Sequence, residues 1–534
     1  MFSECLPFSN IPHSSKLFLD LLNHSGQASR FYPRSLHISQ WAKAESELIR
    51  YSDDRRQAVA DVLERQNHAW GWSSKTADNL KRFREGAAVV VTGQQVGVFG
   101  GPLFAILKAL TAVELAAKAE AAGVPTVPVF WLATEDHDLD EVSRVSVPAA
   151  DGSLQIVEIA PPTIEDAPVG DVRLGDDVIA QVERLVELLG PSDITDAVVG
   201  AYRPGVSMGD AFAKLYSKVF AEWGVILIDG YDPELHRIAK PIYRAAAEQA
   251  EEIDQLLLAR GKELEDAGYH QQVKVTASST VLFEIVDGKR TVVQRVNGSF
   301  KAGTHRYTPA ELLQRIDQAP EKFSANVLLR PVVQDYLLPT LAYTGGPAEV
   351  AYFAQVAVVY QKLVNRVTPV LPRFSATVVN PKMAKLLQKY GLKLPDLFVG
   401  PEALKIDMAK RVLPGSLQTN LQTAETAVHV AMERIRADLQ KLDPTLVQSA
   451  NRAEAKMHYQ VERLGKRAAR AELLRNEIVA RHADTLSSNL FPHKNLQERE
   501  VAGIFYLAQH GLDLMHTLYE AAQNECPDHQ VIYL

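Results

Sequence analysis

Short apolar runs alternate with amphipathic stretches through the first half of the chain. Residues 1–85 mix charged and apolar positions at spacings of three and four, which predicts mostly helix. The run AAVVVTG begins at Ala87 and stops at Gly93, as expected of a strand buried on both faces. GPLFAILKALTAVELAAKAEAAG then predicts a helix that ends near Gly123, and VPTVPVFWLAT predicts a second buried strand. Strand, helix and strand in this order form a βαβ unit, so we expect a parallel sheet.

The pattern is less regular over residues 143–200, where short strand-like pieces surround one predicted helix at 178–189. GDAFAKLYSKVFAEWG then predicts a helix that leads into another buried strand, VILIDG. A helical stretch over 240–267 precedes a predicted hairpin, whose strands TVLFEIV and TVVQRV are joined across Asp287 and Gly288. RPVVQDYLLPTLAYTGGPAEVAYFAQV predicts a further loop and helix start. We therefore expect an α/β core that carries inserted subdomains.

Beyond residue 380 the apolar positions follow a seven-residue repeat. The repeat pauses at Asp443 and Pro444, a pair that favours a helix start, and then resumes. Two long helices in coiled-coil register are predicted, packed within a hairpin or between subunits. The repeat positions are Leu421, Val428, Met432, Ile435, Leu439 and Leu442, followed by Met457, Val461, Leu464, Ala468, Ala471 and Ile478.

Composition limits the class of protein. A chain of 534 residues exceeds what one hydrophobic core usually organises, so two or three structural units are expected. Apolar residues make up 46% and charged residues 23%, as in soluble globular proteins. The net charge of −8 argues against nucleic acid or an acidic membrane as a partner. The sequence contains no apolar run long enough, about 18 residues, to predict a membrane-spanning helix.

The two cysteines, Cys5 and Cys526, lie near opposite ends of the chain. This number argues against a secreted disulfide framework and favours a reducing cytoplasm. The N-terminal residues MFSECLPFSN lack a basic segment followed by an apolar one, so we expect no signal peptide. Neither cysteine has an obvious base beside it in the sequence, so a cysteine nucleophile is not expected.

A glycine-rich turn follows the first predicted strand and is the first candidate site. Glycines let the backbone approach a ligand, and the start of the following helix favours an anion. The order is neither G-x-G-x-x-G nor a P-loop, so ligand contact and tight-turn packing both stay open. Neutral amides at this position suit hydrogen bonds to a polar substrate. The candidate substrate-binding residues are Thr92, Gly93, Gln94, Gln95, Gly97 and Gly100.

The second candidate is the cluster Glu135, Asp136, His137 and Asp138, directly after the second strand. The carboxyl ends of parallel strands are where α/β sheets bind ligands. The cluster suits a general base, a site for a substrate amine, or a metal. The alternative is a capped helix start, because acids are favoured there. With one histidine and no second ligand pair, we expect no metal in this cluster.

The third candidate comprises Tyr343, Gly345, Gly346 and Glu349. Gly-Gly-Pro before a helix predicts an anion-binding turn, with Glu349 in the first helical turn. A plain loop followed by a proline-started helix is the alternative. The nucleophile pattern G-x-S-x-G is absent from the sequence.

Taken in order, these segments resemble the bacillithiol biosynthesis cysteine-adding enzymes. The similarity runs from LPFSNIP and SSKLFLDLL through TGQQVGVFGGPLFAILKA, PVFWLATEDHDLDEV, LIDGYDPELHRIAKPIY and FSANVLLRPVVQDYLLPTLAYTGGPAEVAYFAQ to LFPHKNLQERE and VIYL. The resemblance implies a Rossmann-like core over 1–380, similar to class I aminoacyl-tRNA synthetases, with connecting-peptide insertions near 144–200 and 265–320. It also implies a helical coiled-coil domain over 381–534 that supports a homodimer.

The implied reaction joins the carboxyl of L-cysteine to the amine of glucosaminyl-malate, giving bacillithiol. The carboxylate needs activation, and the ADP binding associated with the family makes ATP the implied partner. The resemblance assigns the chemistry to residues 135–138 and substrate binding to the two glycine-containing turns. Class I synthetases use histidines in the first turn, whereas GVFGGPLF has none. Adenylation by that route is therefore not expected, phosphoryl activation or another donor stays open, and His137 is the candidate for the missing role.

Two alternatives stay open. A synthetase-like, non-catalytic nucleotide-binding dimer would account for the missing histidines and the coiled coil. A nucleotidyltransferase with a different acceptor is the other, because a fold does not fix a substrate.

Overall fold

The computed structural model describes residues 2–524 and 526–534. None of the helices in these residues combines the length and apolar character needed to cross a bilayer. The strands are β1 (Phe2–Leu6), β2 (Ala88–Gln94), β3 (Thr126–Leu132), β4 (Arg144–Pro148), β5 (Leu154–Glu158), β6 (Ile226–Asp229), β7 (Leu282–Val286), β8 (Lys289–Val296), β9 (Ser299–Ala302), β10 (His305–Tyr307), β11 (Phe323–Ala325), β12 (Thr340–Gly345), β13 (Val370–Pro372), β14 (Ala376–Val379) and β15 (His529–Tyr533).

The helices surround these strands in chain order. They are α1 (Lys16–Leu22), α2 (Ala42–Ser46), α3 (Asp53–Trp70), α4 (Ser74–Arg84), α5 (Leu103–Ala121), α6 (Leu139–Val142), α7 (Asp177–Leu189), α8 (Asp193–Ala201), α9 (Met208–Val219), α10 (Pro233–Glu248), α11 (Ala250–Asp266), α12 (Pro309–Gln318), α13 (Arg330–Leu337), α14 (Pro347–Val364), α15 (Pro381–Tyr390), α16 (Pro401–Arg411), α17 (Gly415–Leu442), α18 (Val447–Arg475), α19 (Glu477–Leu490), α20 (Gln497–Glu500), α21 (Gly503–His510) and α22 (Asp513–Ala522).

The central sheet has five parallel strands in the order β13-β12-β2-β3-β6. Numbered along the chain, this order is 5-4-1-2-3, the doubly wound arrangement of a Rossmann-like core. The direction of winding reverses between β2 and β12. Ligands of such sheets bind in the crevice that opens at this switch point, at the carboxyl ends of the strands. The predicted α/β class and parallel sheet are confirmed.

Continuous apolar runs explain the centre of this sheet. Every residue of β3 is buried, as are all residues of β2 except its last, and α5 packs against both strands. Both predicted strands are thus confirmed. The prediction of a loop before Gly345 was wrong, because PTLAYTG forms β12. This short segment becomes a strand through pairing with β2 and β13, which are distant in sequence.

The predicted insertions form small units beside the core. The first carries the β4–β5 hairpin with α7 and α8, and the second carries the antiparallel strands β7 to β11. The hairpin between β7 and β8 is confirmed, with Asp287 and Gly288 at φ of 52° and 79°. Two successive left-handed residues are what a type I′ turn requires. The helical stretch predicted at 240–267 is two helices, α10 and α11, which meet at Gln249.

Helices α17 and α18 form the predicted hairpin, but its seam differs from the predicted repeat. The buried positions include Met432, Ala450, Glu454, Gly465 and Ala469. Small residues in α18 allow close approach, and apolar spacing alone did not reveal that inner face. The predicted seam residues that are instead exposed are Ile435, Leu442, Met457, Leu464 and Ile478.

The two ends of the chain meet in a three-stranded sheet of order β1-β15-β14. Strand β1 was not foreseen, because residues 1–85 were expected to be mostly helical. Its antiparallel pairing with β15 brings Cys5 and Cys526 together as a disulfide with Cα atoms 6.0 Å apart. The sequence separation of 521 residues concealed this proximity. One link between the termini is not a disulfide framework, but the expectation of reduced cysteines does not describe this structure.

Candidate active site

Lys108 of α5 joins the two turns at the switch point. Its side chain is 1% exposed, and its Nζ lies 2.7 Å from Oε2 of Glu349. The same ammonium donates to the carbonyl of Gly93 and, over 3.2 Å, to Oε1 of Gln94. Burial lowers the pKa of Lys108, and the charge of Glu349 opposes that shift. Sequence analysis missed this residue, although a single lysine within the apolar run LFAILKALTAV was the signal.

Glu349 begins α14 and is held from three sides. Its Oε2 accepts the backbone N–H of Gly346 over 2.8 Å, and its Oε1 accepts the hydroxyl of Tyr343 over 2.5 Å. Burial would raise the pKa of Glu349, but the Lys108 ammonium holds it below its usual value. A Cβ at Gly345 would come within 2.8 Å of the Glu349 side chain. The helix start predicted to bind an anion therefore already holds the chain's own carboxylate.

The start of α5 is also covered. Gly100 donates its N–H to the hydroxyl of Tyr202 over 3.1 Å, and its carbonyl accepts the hydroxyl of Tyr216 over 3.0 Å. The N–H of Leu103 donates to the carbonyl of Val501 over 2.9 Å. With both helix starts occupied, the phosphates of ATP do not fit either turn. We therefore assign no chemical step to this nucleotide.

Close packing explains most of the first turn. The hydroxyl of Thr92 donates to the carbonyl of Thr344 over 2.9 Å and ties β2 to β12 across the switch point. Gly93 and Gly97 lie where a Cβ would approach neighbouring atoms to 3.1 Å and 2.9 Å. The tight-turn interpretation therefore accounts for these glycines and for Gly100.

The two glutamines remain partly exposed at the carboxyl edge. The amide nitrogen of Gln95 donates to Asp136 over 2.7 Å and to Glu141 over 3.0 Å. Gln94 contacts Lys108, so the amides connect the acidic cluster to the buried ion pair. The first and second candidate segments therefore meet in one site.

Arg290 of β8 fixes His137. Its Nη1 lies 3.3 Å from Nδ1 of His137 and 3.6 Å from Oδ1 of Asp136. Because a guanidinium only donates, Nδ1 accepts, and the neutral imidazole carries its proton on Nε2. This arrangement suits donation to a developing negative charge better than removal of a proton. Burial lowers the pKa of Arg290, against the charges of Glu135 and Asp136.

Arg290 was missed because it lies in the second insertion, more than 150 positions from the acidic cluster. Its Nη2 donates to the carbonyl of Ala325 over 2.7 Å and its Nε to the hydroxyl of Ser324 over 3.1 Å. These contacts with β11 orient the guanidinium. The insertion therefore completes the site of the core.

The other two acids of the cluster have structural partners. Oε1 of Glu135 lies 3.3 Å from Nε2 of His236, and both side chains are buried. Burial lowers the pKa of His236, but its contacts with Glu135 outweigh this and raise it above the usual value. Asp138 accepts the N–H of Glu141 over 3.2 Å and caps α6, as the helix-cap alternative predicted. Asp136 and His137 are the partly exposed pair, each 35% exposed.

Asp229, at the end of β6, is a further titratable group at this edge. It accepts the hydroxyl of Thr134, and the N–H of Tyr231 over 3.0 Å, through the same oxygen, Oδ1. Burial raises the pKa of Asp229 to about 6. Sequence analysis did not single it out, because an acid that ends a strand has no distinctive pattern.

A cavity of about 680 Å³ lies at the opposite edge of the sheet. It is lined near Thr340 and Val370, the first residues of β12 and β13, and by Arg366 and Asp335. Arg366 donates to the carbonyl of Thr340 over 2.8 Å, so its charge already supports the strand start. We place the candidate site at the carboxyl edge, because the titratable groups converge there.

Replacing Asp229 by Asn should change stability in a pH-dependent way. The folded pKa is raised, so wild-type stability is lost as pH increases from about 4 to about 6, while Asn keeps an Oδ1 for both donors. Relative to wild type, Asp229→Asn should gain up to roughly 3 kcal/mol between pH 4 and pH 7.5. Urea unfolding at both pH values measures this, with exposed Asp140→Asn as the control. A pH-independent difference between Asp229→Asn and wild type would contradict the raised pKa.

Comparison with known proteins agrees with this architecture. Residues 1–374 match the family model described as bacillithiol biosynthesis BshC, N-terminal Rossmann-like domain, and residues 376–534 match its C-terminal coiled-coil domain. The chain is 49% identical to a BshC of Koribacter versatilis and 36% identical to one of Solibacter usitatus, over 100% of each chain. It is 33% identical to one of Salinibacter ruber, over 97% of this chain and 96% of the other. All three relatives are assigned as cysteine ligases. This chain belongs to the BshC family of bacillithiol biosynthesis proteins.

Proposed function

We propose that this protein is a ligase that joins the carboxyl of L-cysteine to the amine of glucosaminyl-malate, forming bacillithiol. Family membership and the assignment of its relatives support the cysteine ligase activity. The observation that carries the proposal is the convergence of Gln95, Asp136, His137 and Arg290 beside the switch point. Donors and a carboxylate at one strand edge suit two small polar substrates.

The geometry suggests separate roles for the two exposed groups. The substrate amine must lose a proton when it attacks a carbonyl, and Asp136 is the partly exposed carboxylate available to accept it. The attacked carbonyl oxygen becomes negative, and the N–H at Nε2 of His137 can stabilise that charge. Gln94 and Gln95 would orient the polar substrates by hydrogen bonds.

A free carboxylate does not react with an amine unless it is activated, and the family resemblance makes ATP the proposed co-substrate. Because the phosphates do not fit the two turns, the nucleotide would bind elsewhere, and we route no step through it. The proposed cellular location is the cytoplasm, where cysteine and ATP are both supplied.

Asp136→Asn and His137→Ala should each reduce ligation by about 10²- to 10⁴-fold, the usual contribution of a positioned proton-transfer or charge-stabilising group. Purified protein is incubated with L-cysteine, glucosaminyl-malate and ATP, and bacillithiol is measured by mass spectrometry. The matched control is Asp140→Asn, which removes an exposed acid three positions after His137. Its activity should equal that of wild type.

Unchanged ligation in Asp136→Asn and His137→Ala would contradict these roles. No product from wild type, beside an active BshC relative, would favour the non-catalytic nucleotide-binding dimer. A parallel reaction without ATP tests the co-substrate. A nucleotide-modified product in place of bacillithiol would favour a nucleotidyltransferase.

We further propose that the hairpin of α17 and α18 pairs with a second copy of the chain. The exposed apolar residues at seven-residue spacing are typical of a coiled-coil seam that is not satisfied within the hairpin. Leu442 is 78% exposed, Leu464 59% and Met457 46%, which is unfavourable for apolar side chains at regular spacing.

The double variant Met457→Glu/Leu464→Glu should convert a dimer into a monomer, because four carboxylates would face each other across the seam. Light scattering after size exclusion measures the mass, and circular dichroism verifies folding. The control is Val399→Glu, which alters an apolar residue that is 56% exposed outside the hairpin. A monomeric wild type, or a dimer that withstands the double substitution, would contradict this seam.

A further inference from the structure

We propose that the helical hairpin binds a divalent transition-metal ion of the zinc class through His429, Glu454 and His458. One ligand atom from each side chain lies within 4.8 Å of the others. Nδ1 of His429 is 2.9 Å from Oε1 of Glu454, and Nε2 of His458 is 3.6 Å from that same oxygen. The site lies on the coiled-coil domain and is independent of the proposed ligase site.

The ligand set and its spacing fit the chemistry of zinc. Imidazole nitrogen and carboxylate oxygen bind Zn²⁺ at about 2.0–2.2 Å, so the ligand atoms of a tetrahedral site lie about 3.4 Å apart. The two printed separations, 2.9 and 3.6 Å, lie on either side of this value. Small side-chain rotations would therefore seat an ion. Three protein ligands leave a fourth position for water or another ligand.

Glu454 is already oriented for this role. Its side chain is 10% exposed, and its second oxygen, Oε2, accepts a hydrogen bond from Nη1 of Arg436 over 2.6 Å. The same Arg436 atom also donates to Asn451 over 3.1 Å. Supporting contacts of this kind fix the direction of a metal-binding carboxylate. Oε1 is left facing both histidines, which are 55% and 37% exposed and open to an entering ion.

The placement predicts a structural consequence. His429 belongs to α17, whereas Glu454 and His458 lie one helical turn apart on α18. A bound ion would therefore cross-link the two helices. Since the site exists only in the folded hairpin, binding should stabilise that hairpin against unfolding.

Cobalt titration of the full, tag-free chain tests the site, because tetrahedral Co²⁺ with nitrogen ligands absorbs visible light. Wild type should bind one Co²⁺ per chain, and Zn²⁺ should displace it. His429→Ala and His458→Ala should each weaken binding at least about tenfold, since loss of a mere supporting contact already costs that much. The control is His516→Ala, which removes a histidine 3.1 Å from the carboxylate of Glu222 with no second histidine in that pair.

Thermal unfolding gives a second readout that does not depend on ligation. Zn²⁺ should raise the melting temperature of wild type and of His516→Ala, and chelation should reverse the increase. Neither ligand variant should respond, while all variants should show wild-type circular dichroism without metal. Absence of Co²⁺ absorption in wild type would overturn the proposal. Equal affinity in His429→Ala and wild type would do so as well.

Discussion

The buried ion pair between Lys108 and Glu349 is the interaction on which the architecture of the site depends. Each group is a charge removed from water, so each requires the other. Lys108 also donates to the end of β2, while Glu349 caps the helix that follows β12. One pair of side chains thereby fixes both turns at the switch point. The same contact fills the helix start where a free anion would otherwise bind.

This constraint separates the positioning groups from the reactive ones. The glycines, Thr92 and Tyr343 hold the strand ends together, whereas Gln95, Asp136 and His137 stand at the accessible edge. Arg290 reaches this edge from the inserted sheet and determines which nitrogen of His137 carries the proton. The core therefore supplies the carboxylate and the amides, and the insertion supplies the charge that fixes the imidazole.

Local patterns predicted the parts of this arrangement that depend on local burial. The runs in β2 and β3 are apolar along their length, and the Asp287-Gly288 turn imposes its own backbone geometry. Strand β12 and the pairing of the chain ends depend on partners hundreds of positions away, which no local pattern contains. The meeting of the glycine-rich turn and the acidic cluster followed from strand order.

The individual side chains were less predictable. Lys108 was concealed inside an apolar helix, and Arg290 in a separate hairpin. In the coiled coil, the repeat marked two apolar stripes but did not distinguish the inner face from the outer one. Small residues such as Ala450 and Gly465 define the inner face, and a search for large apolar residues overlooks them.

The most direct test of the central claim is a crystal structure of this protein with L-cysteine and glucosaminyl-malate bound. The account predicts density for both substrates at the carboxyl edge of the sheet, in contact with Gln95 and His137. Substrates bound instead in the cavity near Thr340 and Val370, with the carboxyl edge empty, would contradict it.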